Sequence, residues 1–568
     1  MLQRKRKRLI LVVSALALVV VAWLVFSPKP GPPVQVTHPT IPMPDGVQLA
    51  ATVLLPDPPP QPRLPAVVIQ TRYWRVFALR FPDQPGQVPP MPRDDVAQKL
   101  VAAGYAVVLV DVRGTGASTG KWPHPFSRRE VEDAGEVVRW VARQPWSDGA
   151  VGTTGVSYEG STALLAAATA GAALKAVLAR QIEWDLLDEL LAPGGVRNVS
   201  FPAAWEESVE ALDHNRYPKL FPPYARFVVD GVHPVDGDND GAKLHALAAQ
   251  RDAPHVDKAM QNVRRPEDLV GPDGPPVATL GPSAWTEQLA HTQAAVGIWG
   301  SFWDSATADA VLRATAAMPI AEAVIGAWNH EGTESANPLD DANTPLVDLD
   351  EVVRFFDRHL RASAQPAKPP LRRWFVAGEG RWQQAADWPQ TAPKTWTLQP
   401  DQHLTTSGTK PFTARVPWTA EATTGTQNRW MSGMLQPVRY ADRSHAAGVE
   451  AWRTEPLDKP LRIFGTVAVT CAVQASAGAG ALHAYLEVET PQGAVRYVTE
   501  GLLRVTSGQA TVRMRAVAAT VQPGARLRLA VAAGDAGTFE RVPATGAAEL
   551  TLTGTAEVPC RLEVPVQP

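Results

Sequence analysis

The segment 144–162, QPWSDGAVGTTGVSYEGST, decides how we expect the chain to fold. Residues 150–155 form a short strand-like run, Ser157 follows it, and an alanine-rich helical stretch occupies 161–169. A serine between a strand and a helix is lifted out of its sheet, and backbone N–H groups at the helix start can stabilise negative charge there. We therefore predict that Ser157 is a nucleophile.

Strands and helices alternate on both sides of this segment. The strand-like runs are residues 64–70, 106–112, 174–179, 294–299 and 320–326. Apolar residues recur at helical spacing over 129–144 and 349–360, which predicts two amphipathic helices. Buried β-branched strands that alternate with helices favour a parallel sheet, so we expect an α/β fold.

The character of the sequence changes twice along the chain. Prolines interrupt helical spacing between residues 184 and 283, which indicates an insertion over the sheet edge. After a Pro/Ala-rich linker, short alternating runs separated by Gly, Pro or Asp predict an all-β sandwich or jelly roll. We expect an N-terminal anchor at 1–30, an α/β core at 38–183 and 284–364, a helical cap at 184–283, and a β-sandwich domain at 368–568.

The N-terminus carries a targeting signal. Five consecutive basic residues at 4–8 precede an apolar run at 9–26 that contains one serine and no charge. The run is close to the minimum length of a transmembrane helix, and the basic flank favours retention on the cytoplasmic side. We expect a membrane-anchored extracytoplasmic protein, periplasmic or at the cell surface. The alternative is a cleaved signal peptide and a secreted protein.

Charge and cysteine content restrict the other partners. Six of the 54 basic residues lie in the first 30 positions, where no acidic residue occurs, so the rest is more acidic than the net charge of −3. Such a chain has no electrostatic reason to bind nucleic acid. Export would allow Cys471 and Cys560 to pair, but the sequence leaves open whether they do.

Two serines compete for the role of nucleophile. Ser118 lies in Gly-Ala-Ser-Thr-Gly, a strict G-x-S-x-G match, whereas Ser157 has its second glycine one position late, at Gly160. Pro123 and Pro125 prevent a clean helix start after Ser118, so no helix dipole points at that hydroxyl. Ser157 opens a helix, and this context favours Ser157.

A serine nucleophile needs a base and an acid that orients it. In this fold class the chain order is serine, acid, histidine, each on a loop after a strand. Of the downstream histidines, His330 directly follows a late core strand. Asp304 follows the strand before it, whereas its rival Asp309 falls inside the next helix. The alternative role of Asp304 is that of a helix cap.

Several separate segments then resemble one family, the cocaine esterase and X-prolyl dipeptidyl-peptidase group, which includes the α-amino-acid ester hydrolases. The similarity runs from about residue 38 to the C-terminus. The matching segments are PMPDGVQLAATVLLP (42–56), TRYWR (71–75), DVRGTGASTGKW (111–122), QPWSDGAVGTTGVSYEGST (144–162), WGSFWD (299–304), GAWNH (326–330) and VEAWRTEPLDKPLRIFG (449–465).

The resemblance implies an α/β-hydrolase core, a helical cap and a C-terminal jelly roll. It also implies a triad of Ser157, Asp304 and His330, and an oxyanion hole formed by the Tyr73 hydroxyl and the Tyr158 backbone N–H. The expected substrates are small esters, amides or short peptides. X-prolyl dipeptidyl-peptidase or amino-acid ester hydrolase activity is the alternative.

The sequence departs from the family pattern at two loops. Ala327 replaces a common proline before the base, and Ser301-Phe-Trp-Asp304 replaces Gly-Trp-Tyr-Asp at the acid. Neither change removes a reacting group, but both affect loop geometry. The carboxylates of Glu183, Asp185 and Asp188 lie where an ammonium-binding cluster could occur, yet they also fit a solvated helix face.

Two further interpretations of the sequence concern a calcium site and a non-catalytic function. Residues 236–241 match the first half of an EF-hand loop, but Leu247 stands where a bidentate glutamate is needed, so we expect a polar turn without metal or cofactor. The functional alternative from another class is an inactive hydrolase fold whose β-domain binds carbohydrate or cell wall.

Overall fold

The computed structural model describes most of the chain after the N-terminal segment. The described residues are 33–82, 85–92, 94–219, 221–223, 225–253, 255–339, 344–361, 370–419, 426–431, 437–440, 448–535 and 537–568. The predicted anchor at 1–30 lies outside them. Among the helices of the described residues, none has the length and apolarity required to span a bilayer.

The chain up to residue 385 contains the strands of an α/β core and the helices around it. The strands are β1 Val34–Thr37, β2 Thr40–Pro42, β3 Gln48–Pro56, β4 Leu64–Thr71, β5 Phe77–Leu79, β6 Ala106–Asp111, β7 Ser147–Val156, β8 Leu174–Arg180, β9 Val229–Val232, β10 Ala295–Ser301, β11 Glu322–Gly326, β12 Leu371–Val376 and β13 Arg381–Ala385. The α-helices are α1 Asp94–Ala102, α2 Arg128–Ala142, α3 Tyr158–Leu165, α4 Ser200–Asp213, α5 Ala242–Gln250, α6 Val256–Met260, α7 Thr286–Ala290, α8 Thr307–Ala317 and α9 Leu349–Phe356.

Eleven of the described strands form the central sheet, in the order β1-β3-β6-β4-β7-β8-β10-β11-β12-β13, with β2 beside β3. From β6 to β12 every neighbouring pair is parallel. Helices α2, α3 and α8 pack Val138, Leu164 and Val311 against one face, and α1 and α9 pack Leu100 and Phe355 against the other. The predicted α/β core is thereby confirmed.

The central sheet extends beyond the predicted core boundaries at both ends. β1 begins before residue 38, and β12 and β13 lie after residue 364, in the stretch that we expected to belong to the β-sandwich domain. β12 pairs in parallel with β11. The sequence did not indicate this strand because it contains two arginines. In the structure Arg372 donates to the Ile320 carbonyl, and Arg373 binds Glu351.

The chain between β8 and β10 forms a cap over the carboxyl ends of the parallel strands. It contains α4, α5, α6 and α7, and its strand β9 pairs with β5 of the core in a two-stranded ribbon. β8 and β10 are neighbours in the sheet, with Ala176 opposite Ala295. The cap therefore leaves and rejoins the sheet at adjacent strands.

The last part of the chain is all-β, as predicted. The strands are β14 Ala392–Leu398, β15 Leu404–Thr405, β16 Phe412–Pro417, β17 Thr426–Gln427, β18 Arg439–Tyr440, β19 Val449–Arg453, β20 Leu461–Gly465, β21 Ala468–Ala475, β22 Gly480–Glu489, β23 Val495–Val505, β24 Gly508–Arg513, β25 Val517–Val521, β26 Arg526–Ala532, β27 Glu549–Gly554 and β28 Arg561–Val566. A nine-stranded antiparallel sheet and a four-stranded sheet, β19-β26-β22-β23, face each other. A disulfide joins Cys471 in β21 to Cys560, the residue before β28, so the two cysteines, whose pairing the sequence left open, are paired.

Candidate active site

Ser157 occupies the sharp turn between β7 and α3. Its φ and ψ are 63° and −126°, a left-handed conformation that non-glycine residues rarely adopt. The turn is held because the Ser157 N–H donates to the Arg180 carbonyl and the Ser161 N–H donates to the Ser157 carbonyl, both at 2.9 Å. The strand, turn and helix place this hydroxyl at the carboxyl edge of the sheet, as predicted.

Two glycines allow helix α3 to lie close to the sheet. A Cβ at Gly160 would come within 2.6 Å of the Arg180 carbonyl oxygen of β8. A Cβ at Gly155 would collide with the Cβ of Glu159. The late second glycine is thus explained: the close approach to β8 occurs at position 160, and Glu159 occupies the position that a strict motif gives to glycine.

Asp304 and His330 come together at the ends of the next two strands. Asp304 follows β10, His330 follows β11, and Asp304 Oδ2 lies 2.8 Å from His330 Nδ1. Both side chains are buried, with exposed fractions of 2% and 7%. Burial of the ring opposes its charged form, but the charge and hydrogen bond of Asp304, with smaller effects of Glu331 and Glu183, raise the pKa of His330.

Ser301, one of the departures from the family pattern, links the acid and base loops. Its hydroxyl donates to the Trp328 carbonyl at 2.7 Å and accepts from the Trp328 N–H at 3.1 Å. The base loop is held further by Gln181, whose amide donates to the Asn329 carbonyl at 3.2 Å. A glycine could not make the two side-chain bonds, so this substitution stabilises the geometry that brings acid and base together.

Ser157 lies where two cavities meet. The main cavity, of about 630 Å³, is lined by His330 as well as Ser157. The side pocket, of about 50 Å³, is lined by Ser157, Tyr158, Glu183 and aromatic and aliphatic side chains. Tyr73 and Trp205 line both. A substrate carbonyl at Ser157 therefore has a large cavity on one side and a small pocket on the other.

Tyr73 and Tyr158 flank Ser157. Their rings meet edge to face, with centroids 6.2 Å apart. The Tyr158 hydroxyl donates to Glu130 at 2.5 Å and accepts from the indole of Trp122 at 3.0 Å. The side chain of Tyr158 is thus fixed inside the protein, while its backbone N–H starts α3 beside Ser157, where the first N–H groups of a helix have no intrahelical acceptor.

Glu183 is a site residue whose place the sequence did not determine. It is buried in the side pocket, and its Oε1 has no hydrogen-bond partner among the residues that the structure describes. Burial raises its pKa to about 7, although the nearby His330 favours the ionised form. Asp185 and Asp188, its companions in the sequence, instead bind Arg313.

The rival residues lie elsewhere. Ser118 is fully buried, donating to the Asp111 carbonyl at 2.7 Å and accepting from the Ala50 N–H at 2.8 Å. Asp309 accepts from the Ala516 N–H of the β-domain. Asp238, in the EF-hand-like turn, accepts from two backbone N–H groups at the start of α5. These three side chains have structural partners away from Ser157.

Family comparisons agree with the fold. The model of the X-Pro dipeptidyl-peptidase (S15 family) matches residues 45–332, about half of the chain. The model of the X-Pro dipeptidyl-peptidase C-terminal non-catalytic domain matches residues 365–561. Together these two matches cover most of the core, the cap and most of the β-domain.

Individual proteins show the same relationship. A Mycobacterium bovis protein whose name places it among the serine esterases is 29% identical over 570 residues, covering 88% of this chain and 90% of its own. The cocaine esterase of Rhodococcus sp. is 25% identical over 510 residues, with 82% of each chain covered. The family resemblance predicted from the sequence is confirmed.

Solved structures support the fold. An aminopeptidase from a Thaumarchaeota archaeon of marine sediment superposes with a TM-score of 0.72 at 19% identity, covering 94% of this chain and 97% of that one. An α-amino acid ester hydrolase gives a TM-score of 0.71 at 19% identity, with the same coverage. At this identity the likeness establishes the architecture and leaves the substrate open.

Proposed function

Because the chain belongs to the X-Pro dipeptidyl-peptidase (S15) family and is a serine hydrolase, we propose that Ser157, Asp304 and His330 form its catalytic triad. The hydrogen bond of 2.8 Å between Asp304 and His330 carries this assignment, since it holds the imidazole with its other nitrogen available. His330 and Ser157 line the same cavity, where proton transfer between them would occur.

The reaction proceeds through an acyl-enzyme, in which the acyl group of the substrate is esterified to the Ser157 oxygen. His330 removes the proton of the Ser157 hydroxyl as its oxygen attacks the substrate carbonyl, and then gives that proton to the leaving group. Water, activated by the same imidazole, releases the acid. The Tyr73 hydroxyl and the Tyr158 N–H stabilise the negative oxygen of each tetrahedral intermediate.

The two cavities support a proposal for where the two parts of the substrate bind. His330 must reach the leaving group and lines only the main cavity of the two, so the leaving group lies there. The acyl group then enters the side pocket, which has room for a few heavy atoms and a mostly apolar lining. We therefore propose esters or amides with a small acyl group and a larger leaving group.

The nucleophile is tested by covalent labelling. A fluorophosphonate probe should label the wild-type chain and Ser118→Ala but not Ser157→Ala, because the probe reacts with an activated serine. Retention of labelling in Ser157→Ala would place the nucleophile elsewhere. Absence of labelling in every chain, with correct folding, would favour the inactive binding protein.

One observation favours substrates with an amino group next to the carbonyl. Glu183 lines the side pocket, and its Oε1 has no hydrogen-bond partner within the described part of the chain, so this carboxyl group could accept from an ammonium. Amino-acid ester hydrolase activity would follow directly, and dipeptidyl-peptidase activity would follow only if the dipeptide acyl group extends beyond the side pocket. The p-nitrophenyl esters of alanine and propionate, and Gly-Pro-anilide, separate these cases: equal turnover of the two esters and no anilide cleavage would remove the idea.

We also propose an extracytoplasmic, membrane-anchored location. The basic residues at 4–8 and the apolar run at 9–26 support it, because such a pair retains its basic end in the cytoplasm. Fractionation of cells expressing the full chain should place activity in the membrane fraction and accessible to external protease. Activity in the culture medium would indicate cleavage instead.

A further inference from the structure

The segment 71–75, which we call the tyrosine loop, is fixed to cap helix α4. Arg72 binds the carboxylate of Asp213 through two hydrogen bonds, of 3.1 and 2.9 Å. The Trp74 indole N–H donates to the Leu212 carbonyl at 3.1 Å. These groups are buried, so the loop that carries Tyr73 and the last turn of α4 are held together firmly.

A fourth hydrogen bond joins α4 to Tyr73 itself. The Trp205 indole N–H donates to the Tyr73 hydroxyl oxygen at 2.9 Å. Since the oxygen accepts on that side, the hydroxyl's own proton points away from the indole. An accepted hydrogen bond also polarises a hydroxyl and strengthens it as a donor.

The indole of Trp205 is itself held in place. It is buried, it stacks with Tyr158 at a centroid distance of 6.3 Å, and the Arg72 guanidinium lies 5.6 Å from its ring. Trp205 also lines both cavities at Ser157. Its N–H is therefore a fixed donor beside the reacting centre.

We propose that Trp205 is a positioning residue that directs the Tyr73 hydroxyl proton toward the substrate's developing oxyanion. The inference rests on the proposed function, in which Tyr73 is one of the two oxyanion donors. A donor aligned before the reaction needs no reorganisation in the transition state, and this is where an oxyanion hole gains its effect. The cap thus completes the catalytic machinery as well as shaping the pocket.

A double-mutant cycle tests the inference, with a short-chain p-nitrophenyl ester as substrate. Tyr73→Phe should lower kcat about 100-fold, the usual effect of losing one oxyanion donor. Trp205→Phe should lower kcat about 5- to 10-fold, equivalent to one neutral hydrogen bond, and change KM less than twofold. Because Trp205 acts through the Tyr73 hydroxyl, the double variant should equal Tyr73→Phe alone.

Trp388→Phe is the matched control. Its indole N–H also donates to a hydroxyl, that of Thr315, at 3.0 Å, and neither residue lines the cavities described here. The control should leave kcat unchanged. If Trp205→Phe melts below the assay temperature, benzothienylalanine at position 205, which keeps the ring shape and lacks only the N–H, replaces it.

The possible failures are distinguishable. A Trp205 variant with wild-type kcat, or effects that multiply in the double variant, would overturn the role of Trp205 and leave the oxyanion hole standing. A Tyr73→Phe variant with wild-type kcat would overturn the oxyanion role of Tyr73 and that of Trp205 with it. Neither outcome bears on the role of Ser157 as nucleophile, which the labelling experiment tests separately.

Discussion

Three carboxyl groups act on His330: those of Asp304, Glu331 and Glu183. Asp304 is hydrogen-bonded to the ring, and Glu183 raises the pKa of His330 through its charge. Burial in turn raises the pKa of Glu183 to about 7, close to the ordinary value of a histidine ring, about 6.5. The two groups are coupled, and protons bind to the pair in steps that belong to neither alone.

The acid side of the pH–rate profile should report this coupling. His330 must be neutral to act as base, and its raised pKa places the acid limb of kcat/KM above about pH 6.5, the ordinary value for histidine. Glu183→Gln removes a negative charge that favours the imidazolium, so the limb should move to lower pH and become a single-proton step.

Glu322→Gln is the control for this titration. Glu322 is also a buried carboxyl with a raised pKa, but its partner is Arg358. The control should leave the acid limb in place. A limb that does not move in Glu183→Gln, or moves equally in both variants, would show that Glu183 does not act on His330.

The sequence predicts the positions of some site residues and not of others. Ser157, Asp304 and His330 were predicted because each follows a strand, and parallel strands end at one edge. Glu183 also follows a strand, but a carboxylate beside Asp185 and Asp188 resembles a solvated face. Glu183 is buried because the cap covers it. The irregular spacing of apolar residues in the cap does not predict which residues the cap covers.

At the scale of an element, the turn that carries Ser157 depends on how closely α3 approaches β8. Gly160 faces the Arg180 carbonyl with no room for a side chain. That carbonyl also accepts the Ser157 N–H. A shift of the helix would therefore disturb the serine directly.

Gly160→Ala should destabilise the protein despite the helix propensity of alanine. Propensity alone would favour alanine by about 1 kcal/mol, but overpacking of this kind costs about 1–3 kcal/mol. The melting temperature and the rate of fluorophosphonate labelling should both fall. Gly171→Ala is the control, because its Cβ would meet nothing within 4 Å and only its φ of +67° is unfavourable. A stabilised, normally labelled Gly160→Ala would contradict the packing argument.

Element boundaries were harder to predict than element types. Residues 461–469 and residues 510–517 each alternate in the sequence like one strand, but in the structure each stretch is shared by two strands, because β20 pairs with β25 whereas β21 pairs with β24. The change from one pair of strands to the other occurs between β20 and β21 on one side and between β24 and β25 on the other. Gly465, with a φ of +114°, is the last residue of β20 at this change. Alternation along one strand does not reveal where its partner changes.

At the scale of the whole molecule, the β-domain holds the loop that carries Asp304. Arg429 donates to the Phe302 carbonyl at 3.0 Å, and the Ser305 N–H donates to the Arg429 carbonyl at 2.7 Å. The Trp303 indole donates to the Val498 carbonyl at 2.9 Å. The residues on both sides of Asp304 are thus held by contacts with the β-domain.

Arg429→Met should slow catalysis although Arg429 lies in the β-domain. The change removes the bond to Phe302 and the guanidinium that lies 3.6 Å from the buried carboxylate of Glu500, a loss of about 3–5 kcal/mol. Chemical unfolding should show that loss. In the fraction that stays folded, kcat should fall because the Asp304 loop is less well held. Arg496→Met, which removes a bond to the Leu339 carbonyl, is the control and should retain kcat.

Normal kcat in a folded Arg429→Met variant would show that the acid loop is independent of the β-domain. Such long-range dependence is invisible in the sequence. Nothing near residue 429 marks a contact with residue 302, because the two lie more than a hundred positions apart and meet only in the folded chain. The sequence predicted an all-β domain but not its contacts with the loop that carries Asp304.

The path of the cap has an evolutionary consequence. Since the chain leaves β8 and returns in β10 at adjacent positions, lengthening or replacing the intervening segment would not change the order of the strands that end in Ser157, Asp304 and His330. Descendants could exchange this segment and acquire new substrates while inheriting the chemistry. They would have to keep one indole facing Tyr73, so natural variation in the cap should be freest away from position 205.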